Sequence, residues 1–279
     1  MKANRVEAIE VDLLLQAIFE RYGHDFRSYA RASINRRVKH FLADSECTTI
    51  SELIPKLLHD QTFFEKMVRY FSITVTEMFR DPLVYQGIRE QVVPALKTYP
   101  YIRVWNAGCA TGEETYSLAI VLQEEGMYDR ATLFATDFND AALEKAEEAI
   151  YQPEKIREFT SNYQKAGGKN SFSSYYHARY GAVTVDPSLK KNITFANHNL
   201  VTDSVFSEMH LILCRNVMIY FSKPLQDRVL RLFSDSLVPN GFLCLGSKEN
   251  LAFSEVSDHF IPVDEKLRIY QKKRPPVAA

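Results

Sequence analysis

The chain has 279 residues, 46% hydrophobic and 25% charged, with a formal net charge of −1, enough to bury a real core in one large domain or two unequal ones. No stretch approaches the ~18 uncharged apolar residues of a membrane span, and the N-terminal MKANRVEAIEVD is too charged for a secretory signal. These features predict a cytoplasmic protein without membrane insertion, and the near-balanced charge argues against bulk attraction to nucleic acid.

The first 75 or so residues carry helical periodicity. Val11, Leu14, Leu15 and Ile18 recur at helical spacing, as do Ile50, Leu53, Ile54, Leu57 and Leu58, then Phe64, Met67, Val68 and Phe71. Between the first two of these runs, residues 21–42 hold six Lys/Arg against one acid. Ser33 is positioned to cap a helix whose Ile34, Val38 and Phe41 face inward, leaving Arg36, Arg37 and His40 outward. Such a face is either simply solvated or a docking surface for an acidic partner.

From about residue 100 short strands alternate with helices. YIRVWNAG, ATLFATDFN, NITFANHN, MHLILCRNVMIYF and GFLCLGS read as strands separated by stretches such as AALEKAEEAIY and PLQDRVLRLFSDSL, which predicts βαβ units around a mostly parallel sheet. The final LRIYQKK can pair as a last strand. A Gly/Ser/Tyr-rich stretch within residues 151–192 interrupts the alternation and reads as a small β insertion.

The chemistry concentrates at the strand ends. VWNAGCATGEETYSLAI places Gly108 and Gly112 in a turn before a helix that opens with Glu113 and Glu114, and such a turn lets backbone approach a ligand. The spacing is not the G-x-G-x-x-G of a pyrophosphate site, and the two glutamates favour a cation. Asp137 ends the next strand, where an acid can accept both hydroxyls of a ribose; it can equally cap the following helix. A ribose joined to a cation suggests S-adenosylmethionine. Asn199-Leu200 and Arg215-Asn216 follow two further strands on the same rim. The scattered Cys47, Cys109, Cys214 and Cys244 and the seven histidines show no metal-ligand spacing, so no metal and no catalytic histidine are assigned.

With these strings together, the sequence resembles the CheR family of chemotaxis receptor methyltransferases. The likeness spans SYARASINRRV, TVTEMFRDP, VWNAGCATGEETYSLA, FATDFNDAALEKAEEAIY, LILCRNVMIYF and GFLCLGSKENL. It implies a Rossmann-like α/β methyltransferase sheet with an N-terminal all-helical domain and a small β insertion. It also implies methyl transfer from S-adenosylmethionine to receptor glutamates, forming γ-methyl esters and releasing S-adenosylhomocysteine. The corresponding division is 1–75 for a receptor-docking helical domain, 76–98 for a junction and 99–274 for the methyltransferase domain, with the insertion at about 163–192.

Carried over residue by residue, the resemblance implies that Thr74, Thr76 and Arg80 close over the cofactor and that Gly108 lies in its loop. One or both of Glu113 and Glu114 meet the methionine ammonium, Asp137 the ribose, and Asn199 and Leu200 the adenine region. Arg215 and Asn216 shape the floor, Arg80 and Tyr220 stand nearest the transferred methyl, and Arg36 and Arg37 dock the helical bundle of a chemoreceptor. A plainer reading pairs Arg80 with Asp81 and makes Tyr220 a core aromatic. Thr115, Lys248 and the EMF preceding Arg80 depart from the family's usual residues. The insertion, YYHARYGAVTVDP, is short at its hairpin, which predicts no dependence on a C-terminal tether peptide. Two alternatives stand beside this reading: a cofactor-binding sensor or scaffold module, and a methyltransferase for another substrate class.

Overall fold

Amphipathic helices open the chain. The computed structural model describes residues 2–72, 75–179 and 181–274, and these form two compact units. One takes the residues up to Ser72 together with Tyr220–Arg228, and the other takes the remainder.

In the helical unit, α1 (Lys2–Tyr22), α2 (Arg31–Ala43), α3 (Ile50–His59) and α4 (Gln61–Phe71) bury the periodic residues identified above, except Ile54 and Leu58, which are half-buried. Asp60 caps α4 by accepting from the Phe63 N–H at 3.1 Å. Ser33 is not the cap of α2: the helix starts earlier, after Ala30, which makes no side-chain cap. The Ser33 hydroxyl instead accepts from Arg37 Nε at 3.2 Å.

The second unit begins with α5 (Pro82–Gly87), which runs through a π turn into α6 (Val93–Leu96). The α/β part follows as β1 (Ile102–Ala107), α7 (Glu113–Glu124), β2 (Ala131–Asp137), α8 (Asp140–Glu148), β3 (Ile150–Tyr151), α9 (Ile156–Lys165), β4 (Tyr176–Arg179), β5 (Ala182–Val185), β6 (Ile193–Asn197), β7 (Met209–Cys214), α10 (Lys223–Ser236), β8 (Leu237–Leu245), β9 (Phe260–Asp264) and β10 (Ile269–Lys272). The main sheet has the order β6-β2-β1-β7-β8-β10-β9. Its first five strands are parallel, and β10 and β9 are antiparallel. Within the insertion, β4 and β5 pair as a hairpin that joins β3, outside it, in a separate antiparallel sheet of order β3-β5-β4.

Covering both faces of a parallel sheet demands continuous apolar strands. β1 obeys, with Val104 and Trp105 fully buried, and the Trp105 indole N–H donates to Thr136 Oγ1 at 2.8 Å. The strand order reverses between β1 and β7, so the carboxyl ends of these two strands flank the crevice where open α/β sheets bind ligands. Among the described residues no helix is long and apolar enough to cross a membrane.

Candidate cofactor site

The loop leaving β1 is held against β2. Gly108 and Cys109 both donate backbone N–H groups to the Thr136 carbonyl, at 2.8 and 2.9 Å, and the Ala110 N–H donates to Asp137 Oδ2 at 3.0 Å. The other oxygen of Asp137 accepts from the Asn139 N–H at 3.0 Å. Burial raises the Asp137 pKa above the ordinary carboxylate value, opposed by these backbone donors. Capping of α8 falls to Asn139, whose side chain accepts from the Ala142 N–H. Asp137 is thereby left to the loop.

Gly108 has φ +77°, and a Cβ there would lie 2.5 Å from Val217 Cγ2. The first loop and the loop after β7 therefore touch at a point that only glycine fits.

Arg215 anchors the rim. Its side chain is buried; Nη1 donates to Glu114 Oε2 at 2.6 Å, and Nη2 donates to Asp81 Oδ2 at 2.8 Å and to the Arg80 carbonyl at 3.0 Å. Burial opposes the charge on Arg215, but Glu114 outweighs it and the pKa stands above its ordinary value. Arg215 Nε is buried without a partner. The second oxygen of Glu114 accepts from Asn106 Nδ2 at 2.9 Å, and Thr115 Oγ1 donates to Asn106 Oδ1 at 2.6 Å.

The two glutamates of the motif face different surroundings. Glu113 accepts from the Thr111 hydroxyl at 2.6 Å and lies 4.0 Å from Lys155, lining a cleft of about 210 Å³ with Lys145, Tyr151 and Gln152. Burial raises its pKa. Only Glu114 is bonded to Arg215 and Asn106 on the rim.

Arg80 sits between two residues in left-handed backbone, Phe79 and Asp81, each at φ 54°. Such conformations cost on the order of 1–3 kcal/mol each and persist where the surroundings over-determine them. Here the Phe79 N–H donates to Ser117 Oγ at 2.8 Å, the Phe79 ring is fully buried against Tyr85 and Tyr163, and Arg215 holds residues 80 and 81. Asp81 thus pairs with Arg215, and the pairing of Arg80 with Asp81 is replaced by a 3.5 Å approach of Arg80 Nη1 to the Val75 carbonyl. Thr76 is half-buried in the same segment, and Thr74 lies outside the described residues.

The Asn199 turn follows β6 directly, and the His198 N–H donates to the Asp137 carbonyl at 3.1 Å. Asn199 Oδ1 accepts from the Val201 N–H at 3.0 Å, and Leu200 is buried. Gly108 and Asp137 thus share one hydrogen-bonded group at the loop after β1, and Glu114 and Arg215 share another, with Asn216 following Arg215 in the loop after β7 and Asn199 and Leu200 following β6.

A model of the CheR methyltransferase SAM-binding domain matches residues 74–268, and one of the CheR methyltransferase all-alpha domain matches residues 9–72. The chain belongs to the CheR methyltransferase family. Cher3 of Pseudomonas putida, provisionally named a methyltransferase, is 50% identical over 272 residues, covering 98% of this chain and 100% of its own. Proteins named chemotaxis protein methyltransferase are similar at lower identity. The Listeria innocua protein is 29% identical, covering 82% of this chain and 85% of its own. That of Escherichia coli K12 is 29% identical, covering 86% and 84%.

The CheR membership makes this an S-adenosylmethionine-dependent methyltransferase, and the rim fits that cofactor. Asp137 keeps acceptor capacity for a diol after its two backbone bonds, since an ionised carboxylate offers about four lone-pair sites. Glu114 offers negative charge toward an ammonium, and the Gly108 loop presents bare backbone.

In the helical unit one expectation is corrected. Arg36 is exposed, but Arg37 is only 5% exposed. It donates to the Tyr70 and Phe71 carbonyls, and its guanidinium lies 4.8 Å from the Tyr220 ring centroid. Burial lowers its pKa. Arg37 follows Ile34 at i+3 and precedes Phe41 at i+4, so it shares their inward face. Tyr220 is tied to the same unit, its carbonyl accepting from the Ala30 N–H at 2.8 Å.

Sequence reasoning missed Glu249. Its buried carboxylate accepts from the backbone N–H groups of Gly246, Asn216, Val217, Met218 and Ile219 at 2.7–3.3 Å. An acid three residues after a strand-ending glycine was the only available sign.

Proposed function

We propose that the protein transfers the methyl group of S-adenosylmethionine to glutamate side chains in the cytoplasmic helical bundle of a chemoreceptor. The relatives named chemotaxis protein methyltransferase support this reading. The observation that carries it is the acidic rim at the β1/β7 crevice, where Asp137 and Glu114 stand at the ends of β2 and the loop after β1. Among the described residues there, Glu114, Asp137 and Glu249 are engaged by N–H donors.

A glutamate acceptor, with a reference pKa of ~4.3, arrives ionised at neutral pH and needs no general base. A protonated amine or hydroxyl would need a base. Bound S-adenosylmethionine supplies an electrophilic sulfonium methyl. Glu114 then meets the ammonium, Asp137 the ribose hydroxyls, and Asn199 and Leu200 the adenine. Thr76 and Arg80 cover the site, with Arg80 orienting the incoming carboxylate. Their work is positioning and exclusion of water.

In this reading residues 1–75 dock the receptor through Arg36, 76–98 form the junction, and 99–274 carry transfer. The small hairpin within the insertion at about 163–192 acts without a tether peptide. Methyl-labelled cofactor with a receptor cytoplasmic fragment tests the chemistry. Base-labile label released as volatile methanol is expected, whereas base-stable label would move the acceptor to another atom and overturn the proposal.

A further inference from the structure

Five backbone N–H groups converge on one carboxylate. Glu249 Oε1 accepts from Val217 at 2.9 Å, Met218 at 2.7 Å and Ile219 at 3.3 Å, while Oε2 accepts from Gly246 at 2.7 Å and Asn216 at 3.1 Å. The side chain is 4% exposed. The segment it gathers is irregular, with Asn216 in left-handed backbone at φ 61°. These N–H groups have no sheet ladder to join, because β7 ends at Cys214 and β8 at Leu245.

We propose that Glu249 is a positioning residue for cofactor binding, acting through the backbone of Asn216–Ile219. The proposal rests on the site reading above. The path is short: the carboxylate fixes the Val217 backbone, and the Val217 side chain sets the approach to Gly108, where a single added carbon would come within 2.5 Å. Asn216 and Arg215 are consecutive, so the same clamp holds the residue that bonds Glu114. The loops after β1, β7 and β8 are joined through one buried side chain.

The carboxylate is specifically required. Glutamine has the same shape but one acceptor oxygen and one NH₂ donor. In either orientation the NH₂ would face backbone N–H groups, Gly246 and Asn216 in one, Val217, Met218 and Ile219 in the other. Gly246 offers an independent way to disturb the clamp. A Cβ there would lie 2.7 Å from both the Asn216 nitrogen and Glu249 Oε2, and its φ is not positive, so alanine strains the contact without straining its own backbone.

The test measures S-adenosylhomocysteine affinity by calorimetry on the full chain for Glu249→Gln and Gly246→Ala, with steady-state KM for cofactor and for the receptor fragment, kcat, and thermal unfolding. Both variants should weaken S-adenosylhomocysteine by roughly tenfold or more, the scale on which small misplacements act. Cofactor KM should rise in parallel, with receptor KM unchanged and kcat at saturation reduced much less. An unchanged affinity with only a lower Tm would make Glu249 a structural residue and overturn the proposal, as would equal rises in both KM values. If Glu249→Gln does not fold, Gly246→Ala decides. Asp137→Ala is the control for the site itself. If it retains full affinity, the site reading fails; if it loses affinity while both clamp variants keep theirs, only the Glu249 proposal fails.

Discussion

Arg215 and Glu114 form a buried ion pair, Nη1 to Oε2 at 2.6 Å, joining the end of β7 to the first turn of α7 across the crevice where the strand order reverses. Asp81 meets the same guanidinium at 2.8 Å, with a side chain 46% exposed against 12% for Glu114. Removing one partner of a buried pair strands the other charge and costs ~3–5 kcal/mol, whereas a solvated partner contributes ~0–1 kcal/mol. Glu114→Gln should therefore lose ~3 kcal/mol of unfolding free energy in denaturant and most of the cofactor affinity. Asp81→Asn should lose ~1 kcal/mol or less. Equal losses would contradict the assignment of Glu114 as the main counter-ion.

The neighbouring arginines of α2 separate docking from architecture. Arg36→Glu should raise the receptor-fragment KM while stability stays within ~0.5 kcal/mol, as for an exposed position. Arg37→Ala removes a buried donor from the Tyr70 and Phe71 carbonyls and the cation over Tyr220. It should cost ~2–4 kcal/mol by breaking that network. Denaturant melts of the two variants, paired with receptor titrations, check the contrast. A stable Arg37→Ala protein defective only in receptor binding would restore Arg37 to the docking face.

A carboxylate pair near Arg80 predicts a pH effect. Burial and a hydrogen bond to Glu158 raise the Glu77 pKa above the ordinary value of 4.5, with Arg80 opposing and Asp81 adding to the rise. An acid whose folded pKa is raised contributes stability below its unfolded pKa and loses it as the pH climbs through the folded value. Glu77→Gln should accordingly raise Tm at pH 7, above the ordinary carboxylate range, and give no such gain near pH 4. A Tm change of the same sign and size at both pH values would show that the Glu77 pKa is not raised in the folded protein.

The α/β alternation, the helical start and the rim residues were legible because each carries a local signature: apolar runs with glycine punctuation for β1, 3.6-residue periodicity for α4, and polar residues just past strand ends for Asp137 and Arg215. The orientation of Arg37 was not. A long basic side chain reads as solvent-facing, yet its helical position sets it on the apolar face, where the carbonyls at the end of α4 satisfy it. Glu113 and Glu114 are adjacent and chemically identical, and only the tertiary pairing with Arg215 separates them. Glu249 was illegible for a related reason: four of its five partners are backbone groups about thirty residues earlier, and backbone N–H groups have no sequence signature. β9 escaped because Pro262 lies within it, at a sheet edge that tolerates proline.

Gly108 and Val217 give the most direct test of contact between the loops. Gly108→Ala imposes two separate penalties. The residue has φ +77°, a region costly for any side chain, and the new Cβ meets Val217 Cγ2 at 2.5 Å. Val217→Ala removes the methyl groups from that contact but cannot relieve the backbone. Gly108→Ala alone should destabilise the protein by ~2–4 kcal/mol, combining backbone strain with overpacking, and weaken S-adenosylhomocysteine by displacing the loop. The double variant should recover the steric part of both losses, leaving a residual ~1–2 kcal/mol from the left-handed alanine. A double-mutant cycle in denaturant, repeated with binding calorimetry, measures the recovery as a coupling energy. Strict additivity in both measurements would mean that the loop after β7 does not constrain the loop after β1.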